Sequence, residues 1–93
     1  MKSDVLQNSD LNLLVILDVL LQERSVARAA QRLHLTPSAV SHALRRLRTL
    51  FDDELLVRDG RRMSPTVRAQ EIAVSLPSAL HHVANVLSTT EPF

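Results

Sequence analysis

The chain has no cysteine, which excludes a disulfide framework and any thiolate metal site. Its single glycine, Gly60, is too few turn residues for an all-β fold of many short strands, so helices are the expected elements. Tryptophan and tyrosine are missing and phenylalanine occurs only twice, so the core has to be aliphatic. The longest uninterrupted apolar run is Leu13 to Leu17, far short of the roughly 20 residues that a membrane helix needs. No charged-then-apolar leader with a cleavage site opens the chain, and a cytoplasmic protein is expected. Enzyme chemistry lacks its parts as well. There is no phosphate-cradling glycine loop, no nucleophile set beside a base and no spaced carboxylate pair. The acidic trio Asp52-Asp53-Glu54 is read as a loop that ends a helix, and neither a metal nor a cofactor is expected.

What is there is charge of one sign, concentrated. The net charge of +1 conceals a segregated pattern. Between Arg24 and Arg68 stand ten arginines against four acids, a balance of +6, while the segments before and after are acidic. Arginine is the side chain suited to forked contacts with phosphate and guanine. Ninety-three residues with a 45% apolar share fit one small domain with a packed core.

Residues 1–9 are polar and aperiodic, a loose lead-in. Asp10 is a suitable N-cap for a helix over about 11–23, where Leu13, Leu14, Ile16, Leu17, Leu20 and Leu21 recur at helical spacing. Ser25 caps a short second helix from Val26 to Leu33. Thr36 caps a third, with Pro37 in the first helical position, where its missing N–H costs nothing. Only His34 and Leu35 separate these two helices, and His tolerates the positive φ that so tight a joint demands. Val26, Ala29, Ala30, Leu33, Leu35, Val40, Ala43 and Leu44 mark the inward positions of two helices crossing steeply. Small Ala30 sits where they approach. This spacing predicts a helix-turn-helix, with Ser38, Ser41, His42 and Arg45 on the outer face of a third helix reaching about Leu50.

Leu55 to Arg58 and Arg61 to Ser64 read as two short strands about an Asp59-Gly60 turn, the strongest two-residue hairpin signal. Arg58, Arg61 and Arg62 crowd its tip, which makes the hairpin a basic wing. From Thr66 to about Ser88 the pattern is helical again. Ile72, Leu76, Leu80, Val83 and Leu87 step by three or four residues and form one narrow seam, as in a helix that pairs with its own copy. Pro77 inside this helix should kink it or remove a hydrogen bond. The expected fold is therefore mainly α: a winged helix-turn-helix over 1–65, built from three helices and a short β-hairpin, then a dimerisation helix over 66–93.

Several segments together resemble the N-terminal domain of LysR-type transcriptional regulators over nearly the whole chain. They are Leu11-Asn-Leu-Leu, Ser25-Val-Ala-Arg-Ala-Ala, Leu33-His-Leu-Thr-Pro-Ser-Ala-Val-Ser, Leu55-Leu-Val-Arg and Pro65-Thr-Val-Arg-Ala. Asp10-Leu-Asn-Leu-Leu, Ser41-His-Ala-Leu and Pro65-Thr-Val-Arg-Ala look most like the branch of nodulation regulators and regulators of aromatic-compound breakdown. The resemblance implies a winged helix-turn-helix followed by a linker helix that pairs subunits. It also implies tetramers of two dimers and a larger effector-binding domain beyond this chain, through which alone a small molecule would act. This sequence departs from the pattern in three places: Pro37 where Gln is usual, Asp52 where Gly is common, and Leu56 where the wing usually carries Phe.

The expected partner is double-stranded DNA, with the start of the third helix in the major groove. His42 and Ser38, one turn apart, face the base edges, and Ala39 and Pro37 can pack on a thymine methyl. Thr36, Ser41 and Arg45, with Ser25 and Arg28 at the start of the second helix, suit phosphates, which set register without carrying sequence. Arg58, Arg61 and Arg62 suit backbone or a narrow minor groove. Arg46 and Arg48 are read as solvating the far side of the third helix, His34 as a turn residue, and His81 and His82 as surface or dimer-rim residues. The competing reading is a helical interaction module that uses the 72–87 seam without DNA; it leaves the wing arginines and the polar outer face without a purpose.

Overall fold

The computed structural model describes residues 11–88, so the lead-in and the Asp10 cap lie outside the described residues. Four helices and one hairpin follow in the order α1 (Leu11–Glu23), α2 (Val26–Leu33), α3 (Pro37–Phe51), β1 (Leu56–Asp59), β2 (Arg62–Pro65) and α4 (Val67–Ser88). The winged helix-turn-helix with a long trailing helix is the observed architecture. α1 is the central element, packed against α2, α3 and α4. Its Leu17 and Leu20 are fully buried, and Leu47 of α3 and Leu55 and Leu56 at the wing root close the same aliphatic core. Each such leucine contributes about 2 kcal/mol of burial free energy. Ala29 and Ala30 are buried where α2 meets its neighbours, so their small size allows the close crossing.

The helix ends are set by local chemistry. Ser25 and Thr36 sit in extended backbone, and their hydroxyl oxygens accept from the Arg28 and Ala39 N–H groups at 3.1 Å each. His34 (φ 57°) and Asp52 (φ 51°) take the left-handed conformation. At each of these ends the following N–H reaches back to the carbonyl of Ala30 or Arg48. Asp52 thus takes the left-handed conformation at the position where the resemblance leads one to expect glycine.

The hairpin differs from the sequence expectation by one residue. Asp59 pairs with Arg62 and Leu56 with Pro65, so the loop is Gly60-Arg61 and each strand begins one position later. Positive φ falls on Gly60 and not on Arg61, the pattern of a turn with glycine at its first central position. The cause lies at the wing root. Leu55 is not a strand residue: its φ is +66°, and its N–H donates to the Asp53 carboxylate at 2.8 Å. Because of that local reversal Leu55 and Leu56 are both buried, which two successive strand residues could not be on one face.

α4 continues through Pro77 for 22 residues, about 33 Å. The seam read from the sequence divides along it. Ile72 and Leu76, with Ala69, belong to the core of this same chain, whereas Val83 is 36% and Leu87 69% exposed. Leu80 lies between, packed on the edge of the core. Among the described residues no helix is long and apolar enough to cross a membrane.

Candidate nucleic-acid interface

The outer face of α3 carries the residues expected to meet a groove. Ser38, Ala39, His42 and Arg45 are exposed and Ser41 is half-buried, while Val40, Ala43, Leu44 and Leu47 on the opposite face are buried. Two opposite faces of one helix therefore do different jobs, one holding the fold and the other left free. Thr36 and Pro37 are exposed at its start. The Thr36 hydroxyl uses its oxygen as the cap acceptor and keeps its O–H to donate, as does Ser25.

The structure gathers these residues into adjoining grooves. Ser41, Arg45 and Arg58 line one of about 350 Å³ between α3 and the wing. Ser25, Arg28, Arg61 and Arg62 line another of about 440 Å³, where the wing tip meets the corner between α1 and α2. Ala39 and His42 line a third, of about 480 Å³, between α1 and α3. Arg45, Arg58, Arg61 and Arg62 form no ion pair among the described residues. Their charge is uncompensated, as an anion-binding face requires. Among the described residues no group of three or more His, Asp or Glu is placed to hold a metal ion.

Arg48 was missed by sequence reasoning, which left it on the solvated side of the helix. Its Nε donates to the Glu54 carbonyl at 2.8 Å, and its second guanidinium nitrogen donates to the Leu56 carbonyl at 2.7 Å. One side chain of the recognition helix thereby holds the wing root at a set distance. No spacing rule signals this contact, because the two carbonyls lie beyond the helix end. Replacing Arg48 with Met keeps the stem but removes both charge-assisted bonds. It should cost about 2 kcal/mol of stability and weaken binding to any DNA, measured by urea unfolding and by anisotropy. A stability change below about 0.5 kcal/mol would count against this bracing role.

Asp53 performs the second anchoring. Its carboxylate accepts from the Thr66 hydroxyl at 2.6 Å and from Leu55 N–H, and the Thr66 oxygen in turn accepts from the Ala69 N–H as the cap of α4. These two donors, Thr66 first, hold the Asp53 carboxyl below its ordinary pKa. Wing and trailing helix are thus tied at one carboxylate.

A capped helix with a free polar face, braced to an arginine-tipped hairpin, defines a winged helix-turn-helix domain of the DNA-binding kind. The family model described as bacterial regulatory helix-turn-helix protein, lysR family, matches residues 11–70, and the chain belongs to that family. It is 44% identical over 84 residues to Nodulation protein D 1 of Bradyrhizobium sp. (strain NC92), covering 90% of this chain and 27% of that protein. It is 46% identical over 88 residues to the transcriptional activator NahR of Pseudomonas putida, covering 95% and 29%. Among solved structures, a probable transcriptional regulator of Pseudomonas aeruginosa matches with a TM-score of 0.85 at 44% identity, over 97% of this chain and 30% of that one. The BenM DNA-binding domain in complex with catB site 1 DNA shares the fold, with a TM-score of 0.82 at 22% identity over 88% and 92%. The chain spans less than a third of the length of the curated relatives it matches.

Proposed function

We propose that this chain reads double-stranded DNA as a homodimer, with α3 in the major groove and the wing on backbone or minor groove. The observation that carries the proposal is the split of α3: one face closes the core, and the other presents Ser38, Ala39, His42 and Arg45 to solvent beside arginines that form no ion pair among the described residues. Ser38, His42, Ala39 and Pro37 read bases in this account. Thr36, Ser41, Arg45, Ser25 and Arg28, with Arg58, Arg61 and Arg62 of the wing, hold phosphates.

The homodimer forms through the far part of α4, in a unit that begins near residue 66. Leu80 at the edge of the core, then Val83 and Leu87, continue the stripe that Ile72 and Leu76 dock on α1, the last two past the point where this chain covers it. In this reading the regulator also forms tetramers of two dimers, answers a small-molecule effector through a domain other than the DNA-reading one, and works in the cytoplasm.

The test is fluorescence anisotropy with a palindromic duplex and a random duplex of equal length, across a salt series. Tighter binding to one sequence with a steep salt slope is expected. No binding to either duplex, from protein shown to be folded, would leave only assembly through α4. His42→Ala should cost about 1–3 kcal/mol at the base it contacts and relax the preference there. Equal losses on specific and random duplex would demote His42 to a backbone contact.

A further inference from the structure

Four arginines line the groove between the wing tip and the α1–α2 corner: Arg24, Arg28, Arg61 and Arg62. Arg24 was not among the residues expected to touch DNA, and its setting is unusual. It sits at φ +54°, a conformation in which glycine is the cheapest residue and a long side chain carries a cost. The other positive-φ residues are eased by their side chains. His34 and Asp52 are types that tolerate the region, and Leu55 fills the core with its side chain. Arg24 is exposed, and its guanidinium has no ion pair or hydrogen bond among the described residues. Its backbone is accounted for by the end of α1, where the Arg24 N–H donates to the Leu20 carbonyl at 2.7 Å, whereas its side chain lines the groove.

The charge of the groove supports a ligand of the opposite sign. Among the described residues its only carboxylate is Glu23, and Arg32 already engages that side chain at 3.0 Å while also donating to Gln22 at 2.9 Å. Arg32 thus neutralises the acidic rim, and the four arginines face the groove without a counter-charge. Two of them stand on the first corner of the helix-turn-helix and two on the wing, so the groove is built by segments far apart in sequence.

We infer that Arg24 closes a single phosphodiester clamp in which the α1–α2 corner and the wing tip hold the same backbone phosphate of the DNA. This rests on the DNA-binding reading above, which treats the wing as a separate contact and gives Arg24 no role. The clamp makes the wing's contribution dependent on Arg24.

The test uses Arg24→Gly in the 93-residue chain. This variant removes the cation and at the same time relieves the backbone, so its melting temperature should hold or rise while DNA affinity falls. About fivefold weaker binding is expected at 0.15 M salt on every sequence, with the slope of log K against log salt flattened by about 0.9. Asp52→Gly relieves a comparable conformation away from the groove and should leave affinity unchanged. The shared phosphate is located on the duplex that the unsubstituted chain selects from a randomised pool, by replacing single phosphates with uncharged methylphosphonates. One position should abolish the effects of both Arg24→Gly and Arg61→Ala. If the two variants respond to different positions, or if Arg24→Gly binds as tightly as the parent, the clamp is overturned while His42-dependent recognition can still stand. If the parent selects no duplex at all, the DNA-binding reading itself has failed.

Discussion

Replacing Leu47 with alanine is expected to destabilise the domain by about 3 kcal/mol and to lower its melting temperature by roughly 12–24 °C. Leu47 is 0% exposed and lies on the inner face of α3, in one core with Leu17 and Leu20 of α1 and with Leu55 and Leu56 at the wing root. Truncation removes apolar contact from helix and wing at once, and a core this small has few side chains able to move in and fill the gap. The next residue, Arg48, braces the wing, so loosening α3 at Leu47 should also loosen that brace. Circular dichroism melts at one protein concentration give the shift, the concentration being held because association would add its own stability. A shift below about 4 °C would mean that the site collapses around the cavity and that the core is less closely packed than the burial implies.

Loss of the two wing-tip arginines comes next in size. Arg61→Ala with Arg62→Ala removes two backbone-facing cations, which should flatten the salt slope by up to about 1.8 and weaken binding by up to about 30-fold at 0.15 M salt. Both side chains are exposed and form no ion pair among the described residues, so fold stability should stay within about 0.5 kcal/mol of the parent. The loss should be equal on preferred and random duplex, in contrast to His42→Ala, which should act on one base. An unchanged slope would take the wing out of the interface. A loss confined to the preferred sequence would instead move these arginines from the backbone to the base edges.

Most of the fold was legible because its signals are short-ranged. The start of α2 depends on a hydroxyl three residues from the amide it accepts from, and so does the start of α3. The end of α2 depends on the tolerance of His34 for positive φ, while at the end of α3 the sequence showed only an acidic stop and the left-handed Asp52 came from the structure. The α3 outer face followed from helical spacing alone, which places Ser38, Ser41, His42 and Arg45 together and opposite the buried Val40, Ala43, Leu44 and Leu47. The hairpin was legible as a hairpin, but its register was not. Asp-Gly marks a turn without saying which residue comes first in it, and that choice belonged to Leu55.

The sequence by itself determined the element order, the caps, the split face of α3, the basic wing and the family, since each rests on residues that are neighbours in the chain or repeat at a set period. Tertiary structure alone decided three things. Asp53 meets Thr66 across 13 residues and so places both the wing root and the start of α4. Arg48 reaches the Leu56 carbonyl and ties recognition helix to wing. The stripe on α4 divides between residues that this chain buries, Ile72 and Leu76, and residues that it leaves exposed, Val83 and Leu87. A periodic pattern states which side of a helix is apolar, but only the position of α1 determines how far along that side the chain can cover itself.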